Sequence, residues 1–174
     1  MLVLFALCFS FSLMAQTPFP TDATTKRVSF TETVIVGDTL KKEILYKRSQ
    51  EWLLRTYPGV KFTLEDAVGL KYIIQGTFKV KLTYDFKYKA DHTVNYMVTI
   101  IVKDGKYKYT LTEFSMYKAS TGAGTSTAIE TAYPKMTTQN KSEFTTQVNA
   151  EVKRVTDDMK LYMLVGQVKA VDDF

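Results

Sequence analysis

Hydrophobic and polar positions change period along this chain, and each change marks an element. In "RVSFTETVIV", residues 27–36, Val28, Phe30, Val34 and Val36 share one parity while Ser29, Thr31 and Thr33 take the other. That alternation predicts a half-buried strand. After Gly37-Asp38-Thr39 the spacing shifts to three and four. Leu45, Ser49, Trp52, Leu53 and Thr56 fall on one stripe of "LKKEILYKRSQEWLLRTY", residues 40–57. A helix is predicted there, with Asp38 or Thr39 as its N-cap and Pro58-Gly59 as its stop. "VKFTLE" reads as a short strand, and Asp66 to Gly69 as a turn.

From Leu70 the period of two runs on unusually long. Tyr72, Ile74, Gly76, Phe78, Val80, Leu82, Tyr84, Phe86 and Tyr88 share a parity, against Lys71, Ile73, Gln75, Thr77, Lys79, Lys81, Thr83, Asp85 and Lys87. One face is apolar and the other nearly all polar, which no helix can produce. A break is expected near Tyr84, because strands usually run about 5–6 residues. In "IIVKDGKYKYTLTEF", residues 100–114, Asp104-Gly105 reads as a two-residue hairpin turn. Setting Lys103 opposite Lys106 pairs Val102 with Tyr107, Ile100 with Tyr109 and Val98 with Leu111 on one face. Ile101 with Lys108 and Thr99 with Thr110 then share the other. A one-residue slip would exchange the two faces, so burial pins the register.

Residues 119–139, "ASTGAGTSTAIETAYPKMTTQ", have no period and read as a long loop, mobile or functional. Asn140 with Glu143 reads as a capping box. Phe144, Val148, Val152, Val155, Met159 and Tyr162 then recur every three or four residues, predicting a helix to about Leu164, and residues 166–174 form a tail. The order is strand, helix, four strands, helix. One apolar sheet face and two amphipathic helices must pack together. The expected fold is α+β: a five-stranded, mainly antiparallel sheet with two helices on one face, within residues 27–165.

Three pieces carry a resemblance to a known family: "EWLLRTYP" ending the first helix, "IIQGTFKV" in the long strand, and "YMVTIIVKDGKYKYTLTEF". Over about residues 28–117 the chain resembles a bacterial family of exported domains of unknown function with a TATA-binding-protein-like (TBP-like) fold. The resemblance implies a β-α-β-β-β-β-α order like one repeat of that fold. It transfers no catalytic residue, and the fold alone implies no nucleic-acid binding.

The chain has 174 residues, enough for one domain with a sizeable core. Eleven Tyr and eleven Phe against one Trp suit strands. The net charge of +5 weakly favours anionic surroundings. Residues 1–15 open with an uncharged apolar run, Leu2 to Met14, the length of a signal-peptide core and too short to span a bilayer. A signal peptide ending at Ala15 is expected, then a Pro-rich linker over residues 16–26. The protein is accordingly expected to be exported, periplasmic or secreted, with membrane contact only through that N-terminal segment. An uncleaved anchor is the alternative. Cys8, the single cysteine, follows the bulky Leu7 and is not expected to carry lipid, so the processed chain has no thiol and no disulfide.

Little of the chemistry-bearing inventory points to catalysis. His92, in "KADHT", is the single histidine and reads as a solvated loop residue. With no cysteine after processing, zinc sites built from Cys and His are excluded, and no cofactor is expected. Glu65-Asp66, Asp157-Asp158 and Asp172-Asp173 are adjacent acids of the solvated kind, Trp52 reads as a core anchor, and Gly122 with Gly124 only weakly echoes a phosphate cradle. The polar sheet face is the candidate partner-binding surface. Lys71, Lys79, Lys81, Lys103, Lys106 and Lys108 should project from it, with Ile73, Met97, Ile101 and Phe114 among them. Such lysines also keep an exposed sheet soluble.

These readings converge on a non-enzymatic envelope or periplasmic module that binds an unknown protein or an anionic envelope ligand, and not nucleic acid. The alternatives are a carboxylate-dependent hydrolase acting on glycan or peptide, and a structural component of an envelope assembly.

Overall fold

A computed structural model describes residues 19–84, 88–118 and 124–166. In chain order the strands are β1 (Ser29–Ile35), β2 (Phe62–Asp66), β3 (Lys71–Tyr84), β4 (Tyr88–Lys103), β5 (Lys106–Lys118) and β6 (Thr125–Ala128). The helices are α1 (Lys42–Thr56), α2 (Ile129–Ala132) and α3 (Thr138–Val165). One antiparallel sheet has the order β1-β5-β4-β3-β2, with β6 pairing the far end of β5.

Burial follows the alternation. Tyr72, Ile74, Val80 and Leu82 of β3, Val94 to Val102 at even numbers in β4, and Tyr107, Tyr109 and Leu111 of β5 are all buried. Against them pack Leu45, Trp52 and Leu53 of α1 and Phe144, Val148, Val155 and Met159 of α3, also buried. Each such side chain contributes roughly 1.5–3 kcal/mol on leaving water, so the two-sided pattern alone holds the helices on this face. The expected hairpin register is observed, with Val102 opposite Tyr107, Ile100 opposite Tyr109 and Val98 opposite Leu111. The break near Tyr84 also falls where expected, since β3 ends at Tyr84, which pairs with Tyr88 at the start of β4. Phe86 and its neighbours 85–87 lie outside the described residues, as do 1–18, 119–123 and 167–174.

Several expectations are corrected. The sheet has six strands, because Thr125–Ala128 within the expected loop pairs with β5 and leads into α2. Four residues at a sheet margin carry no apolar alternation, so no period announced them. His92 is not in a loop: it lies in β4 opposite Val80, on the dry face, 6% exposed, with Nε2 3.0 Å from the Tyr84 hydroxyl. Phe114 is not on the wet face. Thr112 to Ser115 of β5 spans the same length as Met97 to Asn95 of β4, an extra residue accommodated by Glu113 at φ 55°. Beyond that bulge the parity of β5 reverses, and Phe114 is buried and stacked on Tyr96 at 5.4 Å.

The helix caps differ too. Neither Asp38 nor Thr39 caps α1. Its N-cap position is Lys41, and the Asp104 carboxylate in the β4–β5 turn accepts the Lys42 N–H at 3.0 Å. In α3 the cap is Thr137, whose hydroxyl accepts the Asn140 N–H at 3.2 Å, so Asn140 lies inside the helix. Glu143 reaches to β3 instead, accepting from the Thr83 N–H at 2.9 Å and its hydroxyl at 2.8 Å. Of the stretch expected as a linker, Phe19 is buried, with its ring against Phe30, Tyr133 and Phe144.

Candidate functional site

α1 and α3 cover one face of the sheet, and the other is open. Strand register orders its side chains in rows. At one end Lys103, Lys106 and Ile35 lie side by side, followed by Asp66, Lys71, Ile101, Lys108 and Thr33. Next come Leu64, Ile73, Thr99, Thr110 and Thr31, then Gln75, Met97, Thr112 and Ser29. Ile73, Met97 and Ile101 are half-buried and form a shallow apolar seam amid hydroxyl side chains.

The six candidate lysines are not one platform. Lys71, Lys103, Lys106 and Lys108 converge around Ile101, whereas Lys79 and Lys81 sit further along β3. Lys79 is roughly 26 Å from Lys71 at about 3.3 Å per residue. The sequence shows parity but not this division, which follows once strand lengths and partners are known. A groove of about 360 Å3 opens at the four-lysine end, lined by Thr33, Ile101, Lys103, Lys106, Tyr107 and Lys108.

The electrostatics of the two layers contrast. On the helical side several cations are paired: Arg55 bridges to Asp158 at 2.8 Å, Arg154 to Glu151 at 2.7 Å and Lys160 to Glu32 at 2.7 Å. Among the described residues, none of the open-face lysines has a carboxylate within ion-pair distance. Their charge is left for solvent or a ligand.

A second groove belongs to the scaffold. A groove of about 470 Å3 between α1 and α3 is floored by a closed set of bonds. There the Trp52 indole donates to Asp158 at 2.7 Å, Arg55 lies 4.5 Å over the Tyr162 ring, and the Tyr162 hydroxyl donates to Glu51. Trp52 is the core anchor expected, fully buried, although nothing local in the sequence pointed to Asp158 as its partner. Deeper in, the Tyr57 and Tyr96 hydroxyls pair at 2.9 Å above Gly76, where any Cβ would lie 2.7 Å from the Tyr96 ring. Burial pushes the Tyr96 phenol up to about 12 and Tyr57 further still. At the sheet edge, hydrogen bonds from Lys160 and then Tyr109 hold the Glu32 carboxyl below the usual carboxylate range.

The expected acid pairs are individually engaged. Glu65 accepts from Gln50, Asp66 from the Val68 and Gly69 N–H groups, Asp157 pairs with Lys153, and Asp158 binds Trp52 and Arg55. Asp172-Asp173 and Gly122 lie outside the described residues. Gly124 is no phosphate cradle, for a Cβ there would lie 2.1 Å from the Tyr117 hydroxyl, so the glycine makes room for that ring.

With this geometry in place, comparison with known proteins is informative. The family profile described as "Domain of unknown function (DUF4468) with TBP-like fold" matches residues 30–117, just over half of the chain. The chain belongs to the DUF4468 family. Its fold resembles the crystal structure of a DUF4468 family protein from Bacteroides ovatus, with a TM-score of 0.65 at 10% identity, covering 82% of this chain and 90% of that one. It also resembles a TBP-like protein from Parabacteroides distasonis, with a TM-score of 0.56 at 11% identity, covering 77% and 93% of the respective chains. Among curated proteins, none matches this chain in sequence. The DUF4468 segment holds the whole candidate face from Lys71 to Lys108, while β6, α2 and α3 follow it.

Proposed function

We propose that this DUF4468 protein is an exported, non-catalytic binding module of the bacterial envelope, periplasmic or secreted, whose open sheet face holds an anionic partner. One observation carries the reading: Lys103, Lys106 and Lys108, with Lys71 beside Ile101 on the neighbouring strand, gather at a groove floored by half-buried Ile101, and among the described residues none of the four is in an ion pair. Unpaired cations beside an apolar foothold suit a ligand carrying several negative charges and some apolar surface. The face is a poor platform for nucleic-acid bases, because Tyr107 and Tyr109 turn inward and, among the described residues, Tyr117 is the only tyrosine exposed on it.

The test is cross-linking in the native envelope with mass-spectrometric identification of what is captured. Changing Lys71, Lys103, Lys106 and Lys108 to Glu is expected to leave the thermal melt intact and abolish capture. Lys79→Glu with Lys81→Glu is expected to weaken it far less. Capture that survives the fourfold change would refute the lysine-groove reading.

A further inference from the structure

The two most exposed large aliphatic residues among those described are Val68, at 97%, and Ile35, at 79%. Both belong to the same end of the sheet. Ile35 ends β1 opposite Lys106, and Val68 tips the turn between Asp66 and Lys71. Between them lie the β4–β5 turn with Lys103 and Lys106, and the row of Lys71, Ile101 and Lys108. The N-terminus of α1 is tied to that turn by Lys42 N–H to Asp104 and Gly105 N–H to the Leu40 carbonyl, which brings exposed Lys41 and Lys42 to the same rim. Acids are present: Asp38, Glu43, Asp66 and Asp104. Two of them, Asp66 and Asp104, spend their charge on backbone N–H groups.

Building on the anionic-partner reading, we propose that this rim seats the protein on an anionic lipid bilayer, with Ile35 and Val68 as apolar feet and the lysines between them over the headgroups. From β1 to β3 the feet are separated by three strand spacings, about 14 Å, a span over which several headgroups are met at once. A flat, negatively charged surface with an apolar layer beneath it is what isolated aliphatic tips flanking unpaired lysines complement. A small soluble anion would use the lysines and leave both feet in water. Membrane contact would then not be confined to the N-terminal segment.

Full-length protein is co-sedimented with phosphatidylcholine vesicles with and without phosphatidylglycerol, and in parallel passed over immobilised heparin. The excess partitioning onto phosphatidylglycerol is the readout, since the N-terminal segment contributes to both vesicle types. Each lysine reversed should cost roughly fivefold in that excess or more. Ile35→Asp with Val68→Asp should remove most of the excess while heparin retention persists. Ile35→Thr with Val68→Ser serves if the Asp pair melts early. An excess that survives loss of both feet, or no excess at all, overturns the docking proposal. If lysine-dependent heparin retention remains in that case, the anionic-partner reading stands. If heparin is not retained either, both fall.

Discussion

Asp104 shows how one residue can serve two elements. It sits in the Asp-Gly turn, where only Gly105 takes a positive φ, and its carboxylate caps α1 from a position distant in sequence. Asp104→Ala should cost about 1 kcal/mol of stability in urea denaturation, and Asp104→Asn much less. Glu113 is the second such residue. Its left-handed backbone sets the bulge that turns Phe114 inward. Glu113→Val should destabilise by more than about 1 kcal/mol, because a β-branched side chain resists that φ, whereas Glu113→Gly should not destabilise. The salt bridge lost to Arg27 is exposed on both sides and contributes little. Neither role is visible locally. Asp104 reads as a turn residue, and Glu113 continues an alternation that the structure breaks.

Among elements, α3 does more than cover the core. Its Gln147 carboxamide accepts the Lys81 N–H and donates to the Lys81 carbonyl, both at 2.8 Å, as a neighbouring strand would. With Glu143 on Thr83, it closes the part of the β3 edge that β2 is too short to reach. Gln147→Ala should cost roughly 1–2 kcal/mol and speed hydrogen exchange at the Lys81 amide, as a strand group loses its partner. Lys160 and Tyr109 tie α3 to β1 and β5 through Glu32. The Glu32 carboxyl is held below its ordinary value of 4.5, so its contribution is present above that pH and is lost as pH falls through the lower folded value. Denaturation midpoints should drop on acidification below about pH 4.5, and Glu32→Gln should make that limb shallower. The periods of two and three-to-four announced these elements. Their stitching was not announced, since Glu143 reads as a local capping-box partner and Gln147 lies off the apolar stripe.

For the whole molecule, the segregation of charge and the burial of phenols make separate predictions. Tyr57, Tyr96 and Tyr107 are raised above their ordinary value of 10.0 by burial. Their stabilising effect is full below pH 10 and is lost as pH rises through the folded values. Tyrosinate absorbance should therefore lag behind that of free tyrosine and then rise cooperatively with unfolding. The open face, in contrast, was legible as wet from parity alone. Its division into a four-lysine end and a distant pair was not, because that depends on which strand lies beside which.

What the residues alone determined was the two-sided sheet, its central register and the helical stripes. Burying one parity outweighs every local alternative, and parity is written along the chain. Tertiary structure decided what depends on partners remote in sequence: the caps from Asp104 and Thr137, the bulge at Glu113, the sixth strand, and the gathering of Lys71, Lys103, Lys106 and Lys108 around Ile101. Hydrogen-bond geometry and strand adjacency set those, and neither has a period that a sequence can display.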